Sequence, residues 1–289
     1  MSTVCQAVPV SFEFFPPNTP AGSEKLQSVV KELAAVGPEF FSVTYGAGGS
    51  TREKTLSTVR DIAALGFEAA PHLSCVGSTA EVVGDILATY QAQGIRRLVA
   101  LRGDLPSGTA THGDFRYASE LVSFIRRTQG ADWHIEVAAY PEYHPQQRYA
   151  SRDIANFVAK IKAGANSAIT QFFFNPDAYF HFVEETQKLG VSAPIVPGIM
   201  PIHNFSRIAN FALRDGIDIP RWVALKMEGY LDDAQSIRAF GLDVVTHMCE
   251  RLIAWGAPGL HFYTLNQSAL SLEICQRLGL SAARTQASA

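Results

Sequence analysis

Eight times along the chain a short run of β-branched and aromatic residues gives way to a longer amphipathic stretch, and no other feature restricts the possible folds as much. The runs fall at 9–15, 40–46, 68–75, 97–103, 134–140, 168–174, 194–199 and 260–265, with helical patterns near 23–36, 51–65, 79–93, 117–128, 151–163, 177–189, 204–215 and 267–278. Strands that alternate with helices run parallel, because each crossover helix returns the chain to the same end of the sheet. Eight units in 289 residues predict an α/β fold closed into a (β/α)8 TIM barrel, where an open doubly wound sheet usually has about five or six strands. The barrel reads as a single domain over 1–289, with an extra helical insertion near 217–255 before the last strand. There Asp218 is expected to cap a helix with Pro220 in its first turn, and a ninth strand over 222–226 is the alternative. The tail 281–289 reads as frayed.

Local chemistry agrees. Ser50-x-x-Glu53 and Ser78-x-x-Glu81 have the form of capping boxes at the second and third helix starts. Gly37, Gly66, Gly94, Gly130, Gly164 and Gly190 each follow a helical stretch and precede a strand, where a left-handed cap belongs.

Composition narrows the function. An apolar content of 47% excludes disorder, and a net charge of 24 − 27 = −3 without like-charge blocks argues against nucleic-acid or membrane-surface partners, which need a concentrated basic face. Small-molecule chemistry is expected. Cys5, Cys75, Cys249 and Cys275 are scattered, so neither disulfides nor a zinc site is indicated, and a reducing cytoplasm is the expected location. The first basic residue is Lys25, which does not fit a secretory signal. The uncharged stretch 189–206 is as long as a membrane span, but Pro194, Pro197 and Pro201 would break it as a helix.

Catalytic groups of such a barrel come from the C-terminal strand ends and the loops after them. Those ends carry Glu13, Thr44, His72, Arg102 with Asp104, Tyr140 with Glu142 and His144, Gln171, and Tyr263 with Asn266. Alternation in the first strand sends Val10, Phe12 and Phe14 toward the helices and Ser11 and Glu13 into the lumen. A carboxyl group partly desolvated there is suited to hold a proton as a general acid, with a structural ion pair as the plain alternative. Arg102-Gly103-Asp104 combines a fork of donors, a flexible residue and an acceptor able to hold a polar ring or phosphate, or it is a simple loop clamp. No G-x-G-x-x-G or Walker-type run occurs, and His72, Asp104 and His144 have no metal-ligand spacing, so no metal is expected. The glycine-rich turn at 46–50 is either a place of close backbone approach or only a turn.

Taken in order, Ser11-Phe12-Glu13-Phe14-Phe15-Pro16-Pro17, Ser42-Val43-Thr44-Tyr45-Gly46-Ala47, Ala70-Pro71-His72-Leu73, Ala100-Leu101-Arg102-Gly103-Asp104-Leu105-Pro106, Ala139-Tyr140-Pro141-Glu142, Ile169-Thr170-Gln171-Phe172-Phe173-Phe174 and His261-Phe262-Tyr263-Thr264-Leu265-Asn266 resemble methylenetetrahydrofolate reductases of the short bacterial type over nearly the whole chain. The resemblance implies a barrel that uses FAD to move hydride from NADH or NADPH to 5,10-methylenetetrahydrofolate in a ping-pong cycle, reversibly, with NADH the better expectation. It implies Glu13 as the general acid that assists opening of the folate's five-membered ring, and Asp104 as the carboxylate between flavin and pterin. Thr44, His72, Arg102, Gly103, Asp104, Tyr140, His144, Asp153 and Lys160 fall on FAD positions, and Gln171, Phe211 and Tyr263, with Glu13, on substrate positions. Gln267 departs from the pattern, standing where an arginine is expected near the folate and nicotinamide site. A homo-oligomer is implied, and S-adenosylmethionine control is not expected of a chain this short.

Two other readings compete. Lys226, if it closes a strand over 222–226, would be the amine of a Schiff-base aldolase. A catalytically silent flavin or folate carrier is the other, though passive binding needs no desolvated acid at position 13.

Overall fold

A computed structural model describes residues 8–46, 51–104, 113–231 and 233–280. The elements are β1 (Val10–Phe14), α1 (Pro20–Ala34), β2 (Phe40–Val43), α2 (Arg52–Ala64), β3 (Ala69–Ser74), α3 (Ala80–Ala92), β4 (Arg97–Leu101), α4 (Ala118–Gln129), β5 (His134–Ala139), α5 (Ala150–Lys162), β6 (Ser167–Thr170), α6 (Pro176–Lys188), β7 (Ile195–Val196), β8 (Gly198–Ile199), α7 (Phe205–Asp215), α8 (Arg221–Gly229), α9 (Ala234–Trp255), β9 (Leu260–Tyr263) and α10 (Ala269–Arg277). The strands pair in parallel in the order β7-β6-β5-β4-β3-β2-β1-β9-β8, which gives the expected TIM barrel.

Closure depends on one imino acid. The run 194–199 is split at Pro197, which has no N–H to give to a ladder, so β7 pairs with β6 and β8 with β9. The Pro197 carbonyl still accepts from His261 N at 3.0 Å. Nine short strands therefore do the work of the eight anticipated.

Alternation in the strands separates two cores. Val10, Phe12 and Phe14 join Phe41 and Phe262 in the layer beneath the helices, with Phe12 stacked on Phe262 at 5.5 Å. A smaller cluster of Phe40, Ala70, Val99 and Ile169 fills the lumen as a barrel layer. The opposite, N-terminal end is closed by Arg97, which pairs with Glu39 at 2.8 Å, Glu68 at 2.9 Å and Glu136 at 3.0 Å and lies over the Phe40 ring. Burial would raise the Glu136 pKa, but hydrogen bonds from His134 and Ser167 and the Arg97 charge hold it below the usual carboxylate range. This end contributes stability and leaves the other for chemistry.

The six glycines expected to end helices have φ between 71° and 112°, values that a Cβ disfavours. The capping boxes are less well anticipated. The α3 N-cap is Thr79, whose side chain accepts from Val82 N at 3.3 Å, not Ser78, whose backbone is engaged with Cys75 and Asp114. Ser50 lies outside the described residues, and α2 starts after Thr51, which spends its hydroxyl on Gly46 N at 2.6 Å. The stretch 217–255 holds α8 and α9, so 222–226 is helix and not a ninth strand. Pro220 rather than Asp218 is the N-cap of α8, because the helix starts at Arg221, two residues later than a cap at Asp218 requires; Asp218 N donates to the Glu142 carboxylate at 3.1 Å. Among the described residues no helix is long and apolar enough to cross a membrane.

Candidate active site

Register builds the centre of the site. Ser11 pairs with His261 and Glu13 with Tyr263 on adjacent strands, and the two-residue period turns all four side chains into the lumen. Ser11 Oγ lies 2.7 Å from His261 Nδ1. Glu13 Oε2 is 3.7 Å from His261 Nε2 and 3.4 Å from His72 Nε2, which reaches it from β3. Both Nε2 atoms are buried and have no hydrogen-bond partner among the described residues, and both stand within 4 Å of the one carboxyl group. Burial keeps the His72 pKa below the ordinary imidazole range despite the attraction of Glu13, and His261 lowers it further. A neutral imidazole beside a carboxyl group lets that group hold or pass a proton with little charge to neutralise.

The end of β9 is pinned to β1. Thr264 Oγ1 donates to the Glu13 carbonyl at 2.6 Å, and Asn266 clasps Phe15, accepting from its N–H at 3.0 Å and donating to its carbonyl at 2.9 Å. Leu265 and Asn266 are held at φ 50° and 58° between these contacts, a left-handed conformation costly for leucine and common near functional sites. The Tyr263 hydroxyl donates to the Thr170 carbonyl across the barrel at 2.6 Å, and burial raises its pKa well above the phenol range. A Cβ at Gly198 would lie 2.6 Å from the Tyr263 ring and 2.2 Å from Thr170 O, so glycine there makes room for the tyrosine.

Beside the lumen, between β4, β5, α4 and α5, is a cavity of about 460 Å³. Seven of the nine residues expected to hold FAD line it: Arg102, Gly103 and Asp104 after β4, Tyr140 and His144 after β5, and Asp153 and Lys160 on α5. Thr44 and His72 stand apart, His72 with Glu13 and Thr44 at the end of β2, where its carbonyl accepts from Thr55 at 2.8 Å. The Arg102 guanidinium donates to Gln146 Oε1 at 2.5 Å. Gly103 has φ 79°, and a Cβ there would meet Ser74 Oγ at 1.7 Å, so the turn admits only glycine. The Tyr140 and His144 rings meet edge to face at 4.6 Å, and His144 N donates to Asp153 Oδ2 at 3.0 Å. Burial, with Asp153 and Asp104 nearby, pushes the Tyr140 phenol up to about 12. Lys160 turns its ammonium inward to the Ala138 carbonyl, and burial lowers its pKa to about 8 despite the attraction of Asp153.

The third group links the other two. Gln171 Oε1 accepts from Phe172 N at 3.1 Å while its amide nitrogen approaches Asp215 Oδ2 of α7 at 3.5 Å, which fixes the orientation of the amide. Phe211, one turn earlier on α7, is half-buried. The charges of Asp104, Asp153 and Asp215 all reach the Tyr140 phenol, and Tyr140 and Glu13 both act on Tyr263, so lumen, cavity and α7 share one barrel mouth. His261 and Asp215 escape a search confined to strand ends. His261 shares lumen-facing parity with Tyr263 and could have been found by it; nothing local distinguishes Asp215. Lys226 lies on α8 with its ammonium over Tyr230, so it is no strand-end amine. Among the described residues no three His, Cys, Asp or Glu side chains gather as metal ligands.

Residues 3–279 match the family model described as methylenetetrahydrofolate reductase. The 5,10-methylenetetrahydrofolate reductase of Escherichia coli K12 is 41% identical over 94% of this chain and 90% of its own. A probable methylenetetrahydrofolate reductase (NADH) of Oryza sativa is 36% identical, covering 93% of this chain and 48% of that longer protein. Among solved structures, an uncharacterized protein from Clostridium thermocellum that binds two copies of 5-methyl-5,6,7,8-tetrahydrofolic acid shares the fold, with a TM-score of 0.71 at 15% identity over 94% of this chain and 95% of that one. With the barrel, its lumenal acid and these matches in place, the chain belongs to the methylenetetrahydrofolate reductase family.

Proposed function

We propose that this member of the family reduces 5,10-methylenetetrahydrofolate to 5-methyltetrahydrofolate with FAD as resident cofactor and a nicotinamide nucleotide, NADH in preference to NADPH, as donor, in a reversible ping-pong cycle. The observation that carries the reading is the Glu13 carboxyl group set in the lumen between two partnerless imidazole nitrogens. A cavity of about 460 Å³ beside it lies within the range that takes a small organic ligand. Its donor set suits a flavin nucleotide: Arg102 and Lys160 offer cations to phosphates, Asp153 accepts from hydroxyls, and the Gly103 turn brings backbone close without a Cβ.

FAD, when bound, supplies the relay of hydride from nicotinamide to folate. The chain's own residues do the rest. Reduction of the bridging carbon to a methyl group requires one carbon–nitrogen bond to break, and the nitrogen that leaves must receive a proton. Glu13 donates it, and the buried His72 imidazole, its pKa lowered, leaves no fixed cation on that side to hold the acid ionised. The exposed Asp104 carboxylate stabilises the iminium cation formed by ring opening. Gln171 offers its oriented amide to the pterin, and Phe211 and Tyr263 give it apolar faces. Self-association in the cytoplasm belongs to the same proposal, supported by Trp222 and Leu225, large apolar side chains left exposed on α8.

Anaerobic stopped-flow absorbance tests it. Purified protein is expected to be yellow, to bleach on mixing with NADH and to regain colour on mixing with methylenetetrahydrofolate. Colourless protein that takes up no added FAD would overturn the cofactor, and bleached protein that ignores the folate would overturn the substrate.

A further inference from the structure

Resting on that reading, we propose that Arg207 is the cation that holds the anionic tail of the substrate, in place of position 267, where the neutral Gln267 stands. Folate and the nicotinamide nucleotide share the chemistry in question: a flat ring that carries oxyanions some distance away, carboxylates in one and phosphates in the other.

Phe211 has a guanidinium on each side. Arg207 lies one turn before it with its guanidinium carbon 5.5 Å from the ring centre, and Arg214 lies one turn after it at 5.3 Å. The two are not equivalent. Arg214 is engaged by Asp215 through a two-pronged pair, Nε to Oδ1 at 2.7 Å and Nη2 to Oδ2 at 2.9 Å, so its charge is largely neutralised. Arg207 is exposed and has no ion-pair partner among the described residues. It is the uncompensated charge beside the aromatic ring.

Arg207 shares a stripe of α7 with Phe211 and Asp215, four and eight residues on, and Asp215 meets Gln171 at the barrel mouth, so Arg207 belongs to the helix face that carries the ring. Gln267, after β9, is exposed, its N–H bonded to Thr264 O at 3.0 Å, and its amide brings no charge. A guanidinium one turn from the stacking ring replaces the missing one with the planar fork that carboxylates and phosphates accept.

The test measures KM for each substrate, together with calorimetric affinity for 5-methyltetrahydrofolate, in the FAD-loaded protein and its variants. Arg207→Gln is expected to raise one KM by about tenfold with kcat changed by less than about twofold, the signature of lost uniform binding. If the folate KM rises and the calorimetric affinity falls with it, the anion is a glutamate carboxylate. If the nucleotide KM rises, the anion is a phosphate. Arg207→Gln combined with Gln267→Arg should recover most of the loss, whereas Arg221→Gln, an exposed charge on α8, should move neither constant. Unchanged KM values in an active Arg207→Gln enzyme, or an equal rise with Arg221→Gln, overturn the proposal. Turnover by the unaltered protein tests the underlying reading separately.

Discussion

Replacing Lys160 with methionine should stabilise the FAD-free protein at neutral pH and impair FAD binding. The lysine pKa falls from its ordinary 10.5 to about 8 because its ammonium is drawn beneath the cavity wall, with Asp153 offsetting only part of the burial. At about 1.4 kcal/mol per pH unit this is a ceiling near 3 kcal/mol against the folded state at pH 7. The side chain is only half-buried and the cavity admits water, which reduces the cost to about 2 kcal/mol. Methionine would leave the Ala138 carbonyl without its donor, at about 1 kcal/mol, so the net gain expected is about 1 kcal/mol. The folded-state pKa is depressed, so the unfolded chain binds more protons between pH 8 and 10.5 and the unaltered protein gains stability across that interval. The variant's advantage should vanish there and reverse to a deficit of about 1 kcal/mol near pH 10. Urea midpoints of both FAD-free proteins at pH 7 and pH 10 measure this. A variant less stable by the same amount at both values would show that the ammonium supports the fold and carries no cost of burial.

Below the free-protein value near 8, Lys160 is charged and FAD affinity should be constant; above it affinity should decline, because bound phosphate raises the pKa of the ammonium and binding then takes up a proton. Flavin fluorescence titrations over that interval decide it, and a flat profile would remove Lys160 from the phosphate site. Glu13→Gln should retain FAD and NADH oxidation while slowing folate reduction by about 10²–10⁴-fold in stopped flow; equal loss of both half-reactions would disprove the general-acid role. Asp104→Asn should alter the rates of both half-reactions, and unchanged rates would remove it from catalysis. Gly103→Ala should cost about 2–4 kcal/mol in a urea titration, through its 79° φ and the overlap with Ser74; adding Ser74→Ala should recover only part of the loss, because the Ser74 Cβ at 2.9 Å and about 1 kcal/mol of backbone strain remain.

Much of the architecture was legible before any coordinates, because it depends on periods within single segments. Val10-Ser11-Phe12-Glu13-Phe14 alternates so regularly that its inward residues follow from the pleat alone. Glycines after helices were readable for the same local reason. Capping was less so. Ser78 and Thr79 are chemically interchangeable as caps, and a tertiary contact, the bond of Asp114 N to Ser78 O, favours the second. The division of the seventh barrel strand was likewise hidden, since Pro197 forbids one hydrogen bond but does not say which neighbours each half will find.

The sequence by itself determined the order of elements, the strand faces and the polar residue at each strand end, all of them consequences of backbone geometry over a few residues. Only the tertiary structure decided which of those residues meet: His261 and His72 around Glu13, Asp215 against Gln171, Arg102 and Lys160 on the lining of one cavity. These partners come from distant parts of the chain, and their meeting depends on strand register and on how helices settle against the barrel. Such contacts arise from packing many side chains at once, and no local pattern encodes them.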